Sequence, residues 1–134
     1  MLPGRGGRVT DVPSPTLIAE ATRRSGAVWL GRPGEPPALV WHLWHDGCAY
    51  VVGGGPEQAL PVTAGDAAVV VVRSKASQSG VVVAWDCAVE AVEPGTPAWD
   101  EVVPLLAVER LNSPAGTVDR WPAECAVLRL RPVG

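Results

Sequence analysis

Few residues in this chain are equipped for chemistry. His42, His45 and Cys48 are spaced closely enough to suit zinc if they stood on a loop or helix. Their neighbours read as strand, however, and side chains on a strand alternate between faces. His42 and His45 therefore point to opposite sides, and only His45 and Cys48 share one. No third ligand stands nearby, which argues against a metal site. His42 reads as a core or pocket-lining imidazole and His45 as a polar residue beside a turn. Gly53-Gly54-Gly55-Pro56 follows a strand and could offer backbone N–H groups to an anion. It lacks the Lys-Ser/Thr of a P-loop and the spaced glycines of a dinucleotide fingerprint, so it also reads as a plain loop. Arg73, Ser74 and Lys75 put two cations and a hydroxyl at a strand end, a set able to hold a phosphate or to form a solvated turn. Six tryptophans could stack on a planar ring, but with no Phe in the chain most of them must fill the core. Trp41 and Trp44 stand apart, because they fall on opposite faces of one strand. Asp86 interrupts an apolar strand and reads as a solvated edge or bulge residue, with a pocket carboxylate as the alternative. There is no GxSxG, no HExxH and no Ser-His-Asp set, so a conventional hydrolase has little to work with.

The elements that must position these residues follow from pattern. Residues 1–15 carry three Gly and three Pro without periodicity and read as a flexible leader to a domain over 16–134. Thr16 could cap a helix over 17–24, basic in its last turn and ended by Ser25-Gly26. Strands follow at 27–31, 38–45, 48–52, 67–73 and 79–93. A helix capped by Thr96 starts at Pro97 and meets Pro104, where a kink or restart is expected. Residues 112–123 read as loop or a single turn around Trp121, and a last strand runs over 124–131.

The most informative stretch is the hairpin turning at Asp46-Gly47. Its register should set His45 opposite Cys48, Leu43 opposite Tyr50 and Trp41 opposite Val52. One face then carries Trp41, Leu43, His45, Cys48, Tyr50 and Val52, and the other Val40, His42, Trp44, Ala49 and Val51. Both faces are largely apolar, so the hairpin should be covered twice: by a barrel interior, and by a helix, a bound ligand or a partner subunit.

The 134 residues suit one domain, and 47% hydrophobic content excludes a disordered chain. The longest apolar runs fall far short of the roughly 20 residues of a membrane span. A net charge of −3 has the wrong sign for a nucleic-acid binder. No apolar stretch follows Arg5 and Arg8, so no secretory signal is evident and the cytoplasm is the expected compartment. Three cysteines without a CxxC pair read as reduced core thiols. Arg outnumbers Lys ten to one, as in the proteins of GC-rich genomes.

The run Val40-Trp41-His42-Leu43-Trp44-His45-Asp46-Gly47-Cys48-Ala49-Tyr50-Val51-Val52 resembles the strand-DG-strand signature of the pyridoxamine 5′-phosphate oxidase-like, FMN-binding split β-barrel family. The order of elements over 16–132 is similar as well. The resemblance implies a mainly β fold with a few helices, a six-stranded antiparallel split β-barrel that forms a homodimer, with FMN or a deazaflavin at the interface. It implies an oxidoreductase in which the cofactor carries the hydride chemistry. Trp41 and His42 would border the ring, and Gly54, Gly55, Arg73, Ser74 and Lys75 would contact the phosphate. The family's basic pair after the second hairpin strand is replaced here by Glu57-Gln58. Either Arg73 and Lys75 substitute for it, or the barrel serves another purpose, as a cofactor-free dimer that binds a small apolar ligand or a protein.

Overall fold

The computed structural model describes residues 13–73, 81–110 and 116–133. Ser74 and Lys75 lie outside the described residues. The first element is a helix, α1 (Pro15–Arg24), whose cap is Ser14 rather than Thr16: the Ser14 hydroxyl accepts from Leu17 N–H at 3.1 Å, and Pro15 opens the first turn. Ser14 and Pro15 therefore belong to the helix and not to a leader. Strands β1 (Ala27–Gly31), β2 (Ala38–Trp41), β3 (Leu43–His45), β4 (Cys48–Gly53), β5 (Ala67–Arg73) and β6 (Val81–Val92) follow. Then come α2 (Pro97–Glu109), a 3-10 turn at Val118–Arg120, the short helix α3 (Trp121–Glu124) and β7 (Ala126–Pro132). Thr96 caps α2 as expected, and the helix runs through Pro104 without a restart. Trp121, expected in a loop or a single turn, opens the one-turn helix α3 and is fully buried.

All pairings are antiparallel, in the order β2-β1-β5-β6-β7-β4-β3. The two edge strands, β2 and β3, are halves of the single run 38–45, parted only by His42. One continuous piece of chain thus pairs with β1 at one end of the sheet and with β4 at the other, which curls the sheet into a nearly closed barrel. Seven strands appear where six were expected because His42 leaves the ladder at this bend.

Asp46 and Gly47 both take positive φ, 50° and 79°, the two-residue turn whose twist suits a hairpin. His45 pairs with Cys48 and Leu43 with Tyr50, as the sequence predicts. Trp41 does not pair with Val52; it pairs with Ala27 of β1. The gap is filled by Gln58. Its Oε1 accepts from Trp41 N–H at 2.9 Å, and its Nε2 donates to the carbonyls of Trp41 (3.0 Å) and Val52 (3.3 Å). A side-chain amide here does the work of a peptide unit in the ladder.

The barrel interior gathers Val28, Leu30, Val40, Val51, Val70 and Leu130. A second cluster joins Tyr50, Val52 and Trp121 to Val102, Val103 and Leu106 of α2. The hairpin is covered on both faces, as its composition requires, and a helix, α2, supplies the outer cover.

Replacing Gln58 by Ala should leave the Trp41 N–H and two carbonyls short of partners and lower stability by about 1–3 kcal/mol. A lower urea midpoint at unchanged slope is the expected reading. An unchanged midpoint would mean that the barrel closes without this amide.

Candidate functional site

The loop leaving β4 is where the sequence suggested an anion site. Gly54 and Gly55 hold φ of +90° and +53°, a conformation that suits glycine. Gly54 N–H donates to the Gln58 carbonyl at 3.0 Å, while the Gly54 carbonyl accepts from Glu57 N–H (2.9 Å) and from the Cys125 thiol (3.1 Å). A Cβ on Gly53 would stand 2.8 Å from the Gln58 oxygen, and one on Gly55 would stand 3.0 Å from the Glu124 Cβ. The loop is closely packed against its own chain. Beside it lies a cavity of about 470 Å³ bordered by Gly53, Gly54, Leu60, Trp99 and Cys125, whose single charged lining residue is Glu93.

Glu57 explains the missing cations. Its side chain is fully buried, Arg110 binds its Oε1 through Nε at 2.7 Å, and the Trp121 indole donates to its Oε2 at 3.1 Å. The carboxylate fastens the end of α2 and the buried Trp121 to the loop after β4. A phosphate here would meet a committed carboxylate and a glycine N–H already bonded, so the loop does not fit the phosphate of a flavin.

Among the other expected contacts, Trp41 is half-buried on the outer face, packed in the cluster with α2. His42 sits at the bend, 5% exposed. Arg73 is exposed at the end of β5. Gly54 lines the 470 Å³ cavity, whereas Trp41, His42, Gly55 and Arg73 border neither it nor the larger cavity described below. Sequence reasoning missed Gln58 as a clamp, Thr22 as a buried anchor, and the group formed by Glu57, Arg110 and Trp121. Glu57 and Arg110 are 53 positions apart, so no local pattern links them.

His42 is held by α1. Its Nε2 donates to the Thr22 carbonyl at 2.7 Å, because a carbonyl can only accept, and the Thr22 hydroxyl takes the Trp85 indole N–H at 3.1 Å. Its Nδ1 is buried with no partner among the described residues. Burial pulls the His42 pKa below its ordinary value, against smaller opposing effects of the Thr22 carbonyl and Glu109. Burial also pushes the thiols of Cys48, Cys87 and Cys125 up, Cys87 to about 12, so all three stay protonated near neutrality and are poor nucleophiles.

On the outer face Glu90 receives Arg129 and Arg131, each through Nε at 2.9 Å, and Arg129 also bonds Tyr50. The two arginines hold the Glu90 carboxyl below the usual range. His45 and Glu101 meet at 2.6 Å with Glu101 largely exposed, a pair of small energetic weight. Among the described residues no three His, Cys, Asp or Glu side chains come together as a metal site.

A larger cavity of about 750 Å³ opens between α1, the hairpin turn, the middle of β6 and the end of β7, bordered by Ile18, Trp44, Trp85, Asp86, Arg131 and Val133. The Trp44 and Trp85 rings meet edge to face with centroids 6.0 Å apart.

Three solved structures are similar in shape. A conserved hypothetical protein of Mycobacterium tuberculosis, Rv2991, matches with TM-score 0.61 at 16% identity, over 96% of this chain and 86% of that one. The heme storage protein HutZ of Vibrio cholerae matches with TM-score 0.57 at 12% identity, over 87% and 88%. A structure described as an F420 reductase matches with TM-score 0.55 at 16% identity, over 86% and 92%. At such identities the likeness establishes the fold alone, a split β-barrel shared along nearly the whole chain. No protein-family profile matches the sequence, and no curated protein does.

Two outcomes follow from the buried groups. Arg110→Met strands the Glu57 charge and should cost about 3–5 kcal/mol, whereas Glu57→Gln, which keeps a shape able to bond Trp121, should cost clearly less. Thermal melting of the two variants checks the order. For His42 the folded pKa lies below the unfolded value of 6.5. As pH falls below 6.5 the unfolded chain takes up a proton that the folded chain refuses, so stability present above that pH is progressively lost. Urea midpoints across pH 7.5 to 5 should fall, and His42→Gln should flatten that slope.

Proposed function

We propose that this chain is a homodimeric, cofactor-binding split-barrel protein that takes a flavin or deazaflavin, with oxidoreductase activity of the pyridoxamine oxidase-like kind. The observation that carries the reading is the shared fold with an F420 reductase along 86% of this chain and 92% of that one. The bound ring would supply the hydride chemistry, and the chain would bind, orient and shield it. Because the glycine loop does not accept a phosphate, that group must be held elsewhere, and Arg73 at the end of β5 opens the run that carries Ser74 and Lys75 in sequence.

A homodimer is supported by the outer face of β1, β2 and β5. Leu39, Trp29, Val71 and Ala84 form a cross-strand row. Leu39 is 56% exposed, and the helices pack on β3, β4, β6 and β7 instead. Such an apolar row suits burial against a second copy. The free thiols suit the reducing cytoplasm, and no helix of the described residues is long and apolar enough to cross a membrane.

The buried Glu57–Arg110 pair favours a second reading, a cofactor-free dimeric barrel that binds a small apolar ligand or a protein partner. Flavin or deazaflavin absorbance in the purified protein, or a melting temperature raised by several degrees on adding FMN or F420, supports the first. Colourless protein whose melting point ignores saturating FMN and F420 overturns it in favour of the second.

A further inference from the structure

Helix α1 is fastened to the barrel at few points. Ile18 and Thr22 are its buried residues. Among the described residues its charged groups bond one another, Glu20 with Arg23 and Arg24, rather than any strand. Thr22 carries both polar ties: its hydroxyl accepts from the Trp85 indole at 3.1 Å, and its carbonyl accepts from His42 Nε2 at 2.7 Å. That carbonyl lies in the last turn, where a helix leaves its carbonyls without ordinary partners, and Ser25 N–H also reaches it, at 3.3 Å. The imidazole is therefore part of the cap of α1. Beyond it the chain passes through Ser25-Gly26 into β1, and a Cβ on Gly26 would meet nothing within 4 Å, so this joint has room to turn.

The His42 ring is bonded on one side only. With the proton on Nε2, the neutral imidazole leaves Nδ1 as a bare lone pair, buried and without a partner among the described residues. A second proton would make Nδ1 a donor with nothing to accept it and would place a positive charge out of reach of water. Around the ring, α1 presents the Thr22 carbonyl, β6 the uncharged Trp85 indole that bonds Thr22, and α2 the carboxylate of Glu109. The carbonyl and Glu109 favour the imidazolium, but burial outweighs both. The bend that carries His42 is held by β1, β4 and Gln58, so the element free to give way is α1. Lifting it would let water reach the ring. It would also open the 750 Å³ cavity, of which Pro15, Ile18 and Ala19 form one wall, and uncover Trp85, which is 2% exposed with the helix in place.

We propose that α1 is an acid-released strap: proton uptake by His42 loosens the helix from the barrel at the Ser25-Gly26 joint and opens the cavity beneath it, while the sheet stays closed. The closed form refuses a proton that the open form takes near pH 6.5. Opening should therefore rise as pH falls below that value, by about tenfold per pH unit at most. The chain has one other histidine, His45, which bonds Glu101 of α2 and not α1.

Amide hydrogen exchange of the intact protein between pH 7.5 and 5, expressed as protection relative to an unstructured chain at the same pH, tests this directly. Amides of α1 should lose protection progressively below pH 6.5, with the Trp85 indole N–H in step, while those of β6 and β7 keep theirs. His42→Gln, whose amide can still donate to Thr22 but takes no proton, should hold α1 at one level across the range. Ile18→Ala should lower α1 protection at every pH and leave the slope unchanged. Constant α1 protection in the native protein would overturn the proposal. So would helix and sheet losing protection together, which is unfolding of the whole barrel, or a slope that persists in His42→Gln. Should that variant not fold, the ring resonances of native His42 decide: they must titrate over the pH range in which α1 loosens, and titration outside it overturns the proposal. Nothing in these outcomes depends on whether FMN or F420 binds.

Discussion

A sheet can become a barrel only if its last strand finds its first, and here both are the same piece of chain. The run 38–45 serves β1 with its first half and β4 with its second, and it must bend at His42 to do so. A bend breaks the ladder and leaves backbone groups wanting partners in a place water cannot easily supply them. Gln58 satisfies those on Trp41 and Val52, and α1 receives the His42 imidazole through the Thr22 carbonyl. The barrel, the seat of α1 and the path of the loop after β4 all depend on this one correction.

That dependence shapes what the glycine loop can do. Gln58 faces the barrel seam, and its neighbour Glu57 faces α2, so the loop is held on both sides by its own side chains. Two adjacent positions where cations would serve an anion are used instead to join elements distant in sequence. Glu57 is buried with Arg110 and Trp121, an arrangement that is costly to disturb because a lone buried carboxylate has nowhere to place its charge. Polar potential that could have faced a ligand has been turned inward. Charges elsewhere on the sheet still turn outward, among them Arg73 at the end of β5, the group formed by Glu90, Arg129 and Arg131, and Asp86 on β6.

Much of this was legible from the residues. The hairpin declared itself through Asp46-Gly47, because a turn with two positive φ values strongly favours such residues, and the pairs His45–Cys48 and Leu43–Tyr50 followed from it, although Trp41 does not reach Val52. The demand for two covers followed from the same alternation. What covered the outer face was not legible: α2 lies some fifty residues further on, and its stripe of Val102, Val103 and Leu106 could have packed on any apolar surface. Ser14 was passed over as a cap in favour of Thr16, although Pro15 at the first helical position marks the start. Trp121 read as part of a loop or a single turn because its local pattern is short and broken by Pro122, and a single turn is what forms. Its burial comes entirely from contacts with the second cluster.

The sequence by itself determined the strands, the turn, the start of α2 and the apolar balance, since these rest on backbone sterics and side-chain periodicity, which act between near neighbours. Only the tertiary structure decided that His42 leaves the ladder, that Gln58 replaces a strand partner, and that Glu57 lies buried against Arg110. Each of these joins parts of the chain far apart in sequence or depends on how the sheet curls, and such distances exist only once the barrel has closed.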